Sequence, residues 1–163
     1  MQSLRAGGVD QVLVVLEAGS PCADLPGLAG ALLAVNPRPE RGMLSSIRAG
    51  LAALPAGAGA AAVLPGDHPF VPPAAIAALL ARFEAEAPLL LAPSYAGERG
   101  HPLLLHRALF AEAAACDDAI GLRQLLERRA ADLRVLELDA PGAEQDLDHP
   151  EDLRWLERRG GRR

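Results

Sequence analysis

Hydrophobic and polar positions follow each other in blocks that are typical of buried strands separated by amphipathic helices. The clearest strand signals are two apolar runs, Gln11–Leu16 (QVLVVL) and Ala60–Leu64 (AAAVL). A strand that is covered on both faces has this uninterrupted pattern. Further strands are predicted at residues 31–35, 89–92, 102–105 and 133–138.

The clearest helix signal is the segment Met43–Leu54, in which apolar residues recur at spacings of three and four. Further helices are predicted at residues 24–30, 72–86, 107–115, 120–129 and 149–159, and the chain begins in the tail of a helix that ends at Gly7-Gly8. Strands that alternate with helices predict an α/β fold, with a mainly parallel sheet and helices on both faces. The length of 163 residues predicts a single domain, residues 1–159, followed by a basic tail, residues 160–163.

Composition narrows the range of functions. All 16 basic residues are arginines, so no lysine can bind phosphate or act in catalysis. A net charge of -5 without a basic surface stripe argues against nucleic-acid binding. The arginine-rich end, residues 158–163, is most simply a frayed terminus, with a nucleic-acid contact as the alternative.

The two cysteines, Cys22 and Cys116, lie far apart and do not form a metal-binding pair. No secretory signal and no apolar run of membrane-spanning length is evident. We therefore expect a cytoplasmic protein with no membrane partner.

Four polar clusters fall at the ends of predicted strands, where ligands gather in open α/β sheets. Asp67 lies in the cluster Gly66–Pro69 (GDHP), directly after an apolar run. Its carboxylate is a candidate ligand for Mg²⁺, which prefers oxygen ligands. The alternative is a turn aspartate that caps the next helix. His68 has no neighbour at metal-ligand spacing, which favours a structural or solvated role.

Two further clusters contain glycine beside polar residues. In Asn36–Ser46, Gly42 permits close backbone approach, and Ser46 lies at a helix start, where free N–H groups attract polar ligand atoms. The alternative is that a serine caps this helix. In Gly97–Pro102, His101 is a candidate hydrogen-bond donor to a substrate, although spacing alone favours an ordinary loop histidine.

The fourth cluster, Glu144–Asp152, contains Asp148 in the position of a helix N-cap. Asp146 precedes that cap, so capping does not account for it. If Asp146 faces the same cleft as Asp67, the two carboxylates would share one Mg²⁺ between nucleotide phosphates. Such an arrangement suits phosphoryl or nucleotidyl transfer.

Taken in order, the four clusters resemble the MobA-like nucleotidyltransferases, and most closely the molybdenum cofactor cytidylyltransferase branch. The matching segments are Asn36–Leu54 with its GMLSSIRAGLAAL run, GDHP at 66–69, PSYAGERGHPLLLHRALF at 93–110 and DLDHPEDL at 146–153. Their order and spacing agree over nearly the whole chain. One such motif would be weak, whereas four in order are strong support for the family.

The resemblance implies a Rossmann-like nucleotidyltransferase fold. It also implies transfer of CMP from CTP, favoured over GTP, to a molybdopterin-type or other phosphorylated acceptor, with release of pyrophosphate. By motif position, the family's residue roles carry over as follows: Gly42 and Ser46 at the nucleotide base and ribose, Asp67 and Asp146 as catalytic Mg²⁺ ligands, and Gly100 and His101 on the acceptor side. His68 departs from the family, which usually has glutamine or another residue there.

Members of this family begin with a strand and a loop of the type LAAGxSxRMGxxK that wraps the triphosphate. The present chain starts in the helix that follows, so we expect the central first strand to be missing and two neighbouring strand edges to be exposed. Three explanations are open: a start assigned too far downstream, an inactive relative, or a partner that supplies the element. The intact motifs favour the first. Two other functions are open as well: a non-catalytic remnant that binds nucleotide or acts through a partner, and an unrelated α/β binding module.

Overall fold

The computed structural model of the chain describes residues 1–140, Ala143 and Leu147. The strands are β1 (Leu13–Glu17), β2 (Leu32–Asn36), β3 (Ala60–Val63), β4 (Leu90–Tyr95), β5 (Glu98–Arg99), β6 (Leu103–His106) and β7 (Leu133–Glu137). The α-helices are α1 (Gln2–Ala6), α2 (Met43–Ala53), α3 (Pro73–Glu86), α4 (Phe110–Ala114) and α5 (Arg123–Arg128). The predicted α/β class is confirmed, with helices on both sides of the strands. None of the helices in this part of the chain has the length and apolar character needed to span a membrane.

The strands form two separate sheets. β1 pairs with β2 in parallel, and the second sheet has the order β3-β6-β4, with β7 and β5 both pairing with β4. Within the described residues, β1, β2, β3, β5 and β7 each pair with one other strand only. The absence of a central first strand stays a prediction.

Strand direction is mixed. β3, β4 and β7 run the same way, as predicted for a mainly parallel sheet, but β6 lies antiparallel between β3 and β4. Only residues 96–102 separate β4 from β6. A parallel crossover needs a dozen or more residues, so this short connection reverses the chain.

The core lies on both faces of the second sheet, because side chains alternate along each strand. Leu90 and Ala92 of β4 pack on one face in a cluster with residues of α2, α4 and α5. Leu91 points to the opposite face, where it packs with Leu79 of α3 and Leu104 of β6. Helices therefore cover this sheet on both sides, and all six residues of β4 are buried.

The start of helix α2 carries the candidate residues Gly42 and Ser46, and the sequence of the helix explains how it packs. Leu44 is buried in the core, and Ile47 and Leu51 pack against the same cluster. Gly50 lets the helix approach β1, since a Cβ atom at this position would lie 3.1 Å from Val15 Cγ2. The predicted helix at 43–54 is therefore observed one residue shorter, over Met43–Ala53.

Several predicted boundaries change. The segment predicted as a loop at 93–100 instead extends β4 to Tyr95 and forms the hairpin with β5, because Ala96 and Gly97 adopt the positive φ angles of a tight turn. In place of the helix predicted at 24–30 there is a short 3₁₀ turn at Pro26–Leu28, which follows another at Pro21–Asp24. The predicted helix at 149–159 and the basic tail at 160–163 lie outside the described residues.

Candidate active site

Asp67 follows β3 in the turn that leads toward α3. The turn is closed by the His68 N–H, which donates to the carbonyl oxygen of Pro65 at 3.3 Å. The Asp67 side chain is 41% exposed, yet its Oδ1 atom is buried and accepts no hydrogen bond from the described residues. Helix α3 has Pro72 at its N-cap, so Asp67 does not cap it. The capping alternative is therefore not what the structure shows, and the carboxylate remains available to a ligand.

Two histidine rings lie beside this carboxylate. The ring centroids of His68 and His101 are 4.6 Å apart and the rings are tilted by 57°. Burial, and then the proximity of His68, lowers the pKa of His101 below its usual value, which keeps this imidazole neutral near pH 7. His68 Nε2 is 3.9 Å from Asp67 Oδ1, too far for a hydrogen bond.

The buried side-chain atoms without a hydrogen-bond partner, within residues 1–140, 143 and 147, form one group. They are Asp67 Oδ1, His68 Nδ1 and His101 Nδ1. Buried polar atoms normally have partners, because leaving one unpaired costs about 1–3 kcal/mol. Sequence spacing does not reveal this group, since His68 follows β3, His101 precedes β6, and the two meet only in the fold.

Gly100 has a packing role next to this group. A Cβ atom at Gly100 would lie 2.5 Å from Cε2 and 2.6 Å from Cδ2 of Tyr95. The Tyr95 hydroxyl donates to the carbonyl oxygen of His101 at 3.2 Å, which fixes the backbone of that residue. Gly100 thus allows Tyr95 to support His101, and its direct contact with a substrate stays a prediction.

A buried amide organises the start of α2. Asn36, at the end of β2, is 2% exposed, and its Nδ2 donates to Ser45 Oγ at 2.7 Å and to Ser46 Oγ at 3.0 Å. Ser45 Oγ donates to the carbonyl oxygen of Gly42 at 2.7 Å. Asn36 was not among the predicted site residues, although its position at a strand end within the matched motif was a usable signal.

Gly42 is the N-cap of α2 and has a φ of 83°, a conformation that favours glycine. No atom lies within 4 Å of the position of a Cβ atom there. Ser46 Oγ accepts from Asn36 and keeps its own hydroxyl hydrogen for another partner. Because the N-cap residue is Gly42, neither Ser45 nor Ser46 caps the helix with its side chain. The geometry is compatible with a ligand at the start of α2.

One cavity joins three of the predicted segments. Its volume is about 460 Å³, and its walls include Leu44 at the start of α2, Pro65 after β3, and Gly100 and His101 before β6. Arg99 also borders it. Two side chains with large exposed apolar area, Met43 and Ile120, line the same cavity. The cavity therefore borders parts of the first and third clusters and the residue just before the second, whereas Asp67, Gly42 and Ser46 are not among its lining residues.

Within the fourth cluster, Glu144–Asp152, the structure describes only Leu147. The Leu147 N–H donates to the carbonyl oxygen of Asp67 at 2.9 Å. Asp146 itself lies outside the described residues. Within the described part, no three His, Cys, Asp or Glu side chains are grouped so as to hold a metal ion.

An ion-pair network on another side of α2 was not predicted. Arg48 pairs with Asp118 and donates to the carbonyl oxygens of Ala114 at 2.6 Å and Cys116 at 2.5 Å. Arg41 also pairs with Asp118. Hydrogen bonding from Arg48, followed by Arg41, holds the pKa of Asp118 below its usual value. These contacts tie α2 to the segment that follows α4.

The α/β fold, with a carboxylate directly after β3, fits a protein of the nucleotidyltransferase class. The chain belongs to the MobA-like NTP transferase family, whose domain model matches residues 1–134. Phosphoenolpyruvate guanylyltransferase from Rubrobacter xylanophilus is 36% identical over 163 residues, which cover 98% of this chain and 76% of the relative. The predicted enzyme class, a nucleotidyltransferase of the EC 2.7.7 type, is confirmed.

Several solved structures share this fold. The crystal structure of Rv0371c from Mycobacterium tuberculosis H37Rv has a TM-score of 0.80 and 26% identity, covering 95% of this chain and 79% of that one. Rv0371c in complex with manganese gives a TM-score of 0.78 and 26% identity, with coverages of 95% and 82%. A nucleotidyl transferase from Methanothermobacter shares the fold at 21% identity, with a TM-score of 0.76 and coverages of 97% and 76%.

Proposed function

We propose that this nucleotidyltransferase moves a nucleoside monophosphate from a nucleoside triphosphate to a small phosphorylated acceptor, with a divalent cation held at Asp67. The observation that carries the proposal is the buried, unpartnered Oδ1 atom of Asp67 at the end of β3. A carboxylate oxygen in that state fits a cation ligand, because a bound ion would satisfy it.

Asp146 is the proposed second ligand. Its covalent neighbour Leu147 is hydrogen-bonded to the backbone of Asp67, and adjacent Cα atoms are about 3.8 Å apart. The bound cation, Mg²⁺ in our prediction, would neutralise charge on the nucleotide phosphates. Mn²⁺ is a second possibility, since it accompanies the similar protein Rv0371c.

The proposed reaction is a single displacement at the α-phosphorus of the triphosphate. A phosphate oxygen of the acceptor attacks, with its electron pair forming the new P–O bond. The bond from the α-phosphorus to the bridging oxygen breaks, and pyrophosphate leaves with that electron pair. An acceptor phosphate is mostly deprotonated at pH 7, since its second pKa is about 6, so the attack needs little help from a base.

Residues at the start of α2 and around the cavity would position the two substrates. Gly42 and Ser46 would contact the nucleotide, because the open backbone and the free hydroxyl hydrogen lie at the start of α2. Gly100 and His101 would lie at the acceptor, where the neutral imidazole is able to share a hydrogen bond with it. Arg99 borders the same cavity and would attract the acceptor's negative charge.

Two pairs of substrates follow from different observations. The run GMLSSIRAGL favours CTP and a molybdopterin-type acceptor, by its resemblance to the cytidylyltransferase branch. The 36% identity to a phosphoenolpyruvate guanylyltransferase favours GTP and phosphoenolpyruvate. Both acceptors offer a phosphate oxygen, so the proposed displacement is the same for each.

The test is a matrix of pyrophosphate release, with CTP or GTP against molybdopterin or phosphoenolpyruvate, and with Mg²⁺ or Mn²⁺ supplied. We expect one donor and one acceptor to dominate, and Asp67→Asn to abolish turnover. The assay should use the 163-residue chain and the same chain extended upstream in frame. Absence of turnover in both chains with every pair would refute the proposal.

A further inference from the structure

The group formed by Asp67, His68 and His101 contains more donor chemistry than a magnesium site uses. Asp67 Oδ1 and one ring nitrogen of each histidine are buried without a hydrogen-bond partner. Mg²⁺ is bound through oxygen atoms, whereas imidazole nitrogen suits later first-row transition metals. A magnesium ion at Asp67 Oδ1 would leave both imidazoles unused, and the His68 nitrogen near that oxygen is Nε2, across the ring from the unpartnered Nδ1.

We propose that His68 is a nitrogen ligand beside Asp67 for the divalent cation, so that this site prefers a transition-metal ion to Mg²⁺. The inference rests on the proposed function for the existence of a cation at Asp67. It assigns a role to a histidine at which the chain departs from the family that it resembles.

The separation of the two side chains supports a shared ion. Asp67 Oδ1 and His68 Nε2 are 3.9 Å apart. Two atoms that ligate one ion at about 2.1 Å are roughly 3.0–3.4 Å apart in octahedral or tetrahedral geometry. A side-chain adjustment of less than about 1 Å closes the difference, and no hydrogen bond between the two atoms has to be broken.

His101 has a positioning role in this arrangement. Its ring lies 4.6 Å from that of His68, and its carbonyl oxygen is held by the Tyr95 hydroxyl. The His101 ring therefore limits the orientations that are open to His68. The described residues contain no group of three metal ligands, so two protein ligands are proposed from this part of the chain. Oxygen atoms of the substrate phosphates and water would complete the coordination.

The test compares His68→Gln with a matched control, His106→Gln. Glutamine is close in size to histidine, and His106 lies at the end of β6, where its Nδ1 accepts from the Ala108 N–H. Co²⁺ is the probe, because its visible absorption changes with its ligands. Mn²⁺ and Mg²⁺ are titrated separately, with the electron paramagnetic resonance of free Mn²⁺ as the readout and Mg²⁺ as competitor.

We expect His68→Gln to weaken Co²⁺ binding by at least about tenfold and to change its absorption, with Mg²⁺ binding altered less than about twofold. His106→Gln should match the unsubstituted protein with all three ions. Unchanged Co²⁺ affinity and absorption in His68→Gln would overturn the inference. So would an equal loss of Mg²⁺ and Co²⁺ binding in a variant that remains folded by circular dichroism.

Asp67→Asn separates this inference from the proposed function. If it weakens the binding of every ion while His68→Gln weakens none, the cation site stands and the nitrogen ligand is wrong. If the unsubstituted protein binds no divalent ion and releases no pyrophosphate, the proposed function itself fails.

Discussion

Two regions of the molecule have similar apolar sequences but very different burial. Every residue of β4 is buried, as are the first three residues of β6, because helices cover both faces and strands pair on both edges. The first four residues of β1 and all of β3 are only partly buried, and each of these strands has one unpaired edge. Apolar content is thus not sufficient for burial, since neighbours on both faces and both edges are also required.

The residues that stabilise the fold and the residues of the candidate site lie in different regions. The closed region around β4 holds most of the buried leucines, including Leu90, Leu91 and Leu105. The candidate site lies beside the open region: Asp67 follows β3, and Asn36 ends β2. Sites are often drawn from less stable parts of a fold, which leaves room for a ligand. Substitutions in each region test whether stability and activity are separated in this way.

The largest effect is expected for Asp67→Asn. We expect kcat/KM to fall by at least about a thousandfold, roughly 4 kcal/mol of transition-state stabilisation, because a cation ligand is lost. The free energy of unfolding in urea should change by less than about 1 kcal/mol. Asp10→Asn, at an exposed position, is the control for loss of one acidic charge. Full activity in Asp67→Asn would show that the active site does not depend on this carboxylate.

A matched pair of leucines tests stability. Leu91→Ala in β4 should lower the free energy of unfolding by about 2–5 kcal/mol, since a fully buried side chain leaves a cavity. Leu33→Ala in β2 should cost less than about 1 kcal/mol, because Leu33 is 49% exposed. Urea denaturation measures both. Equal costs would show that the two regions are equally well packed.

A smaller effect on the free energy of unfolding is expected at Gly100, which packs against Tyr95 beside the candidate site. Gly100→Ala would place a Cβ atom within 2.6 Å of the Tyr95 ring and should cost about 1–3 kcal/mol. The activity should fall as well, because His101 is displaced. Gly57→Ala meets no atom within 4 Å and serves as the control, with an expected change below about 0.5 kcal/mol. Gly100→Ala with unchanged stability would contradict the packing role.

Asn36 is a buried exception on the open side. Asn36→Ala removes the donor to Ser45 and Ser46 and should lower the free energy of unfolding by about 1–2 kcal/mol. KM for the nucleotide should rise if the start of α2 contacts it. Asn36→Asp keeps the size but removes the donating group, so it separates hydrogen bonding from packing. A neutral result for both variants would mean that the first turn of α2 forms without this amide.

The smallest effect concerns pH. The pKa of Asp118 is lowered in the folded state, chiefly by Arg48, so its ion pairs contribute stability above the unfolded pKa of about 3.9. This contribution is lost as the pH falls through the lower, folded pKa. Asp118→Asn should therefore have a shallower loss of stability in acid, measured by urea midpoints between pH 6 and pH 2. The same acid slope in both proteins would rule out a role for this carboxylate.

Much of the fold could be predicted from local patterns. The helix at 43–54 and the strands at 60–64 and 133–138 were placed within about two residues, because their apolar spacing reflects side-chain direction. The reversal of β6 and the 98–99 strand were missed. A short hairpin with alanine and glycine at positive φ has no strong sequence signal, and strand direction depends on connection length.

The candidate site was only partly predictable. Asp67 stands out in the sequence by its place after an apolar run, and its role as a cation ligand stays a prediction. The pairing of His68 with His101 was not recognised, because the two residues are far apart in sequence and meet only through the β4–β6 connection. Asn36 was likewise not singled out, since an amide in a loop motif does not reveal that it will be buried. The role of Asp146 stays a prediction, as that residue lies outside the described part.

The family and the order of strands and helices can be predicted from the chain without its fold, because motifs and apolar periodicity are properties of short segments. Strand pairing, the burial of individual apolar runs and the polar atoms left without partners became evident from the three-dimensional structure. These depend on contacts between distant segments: Leu147 with the backbone of Asp67, Tyr95 with His101, and His101 with His68. The fold brings these groups to the open side of the sheet, and their chemistry there defines the candidate active site.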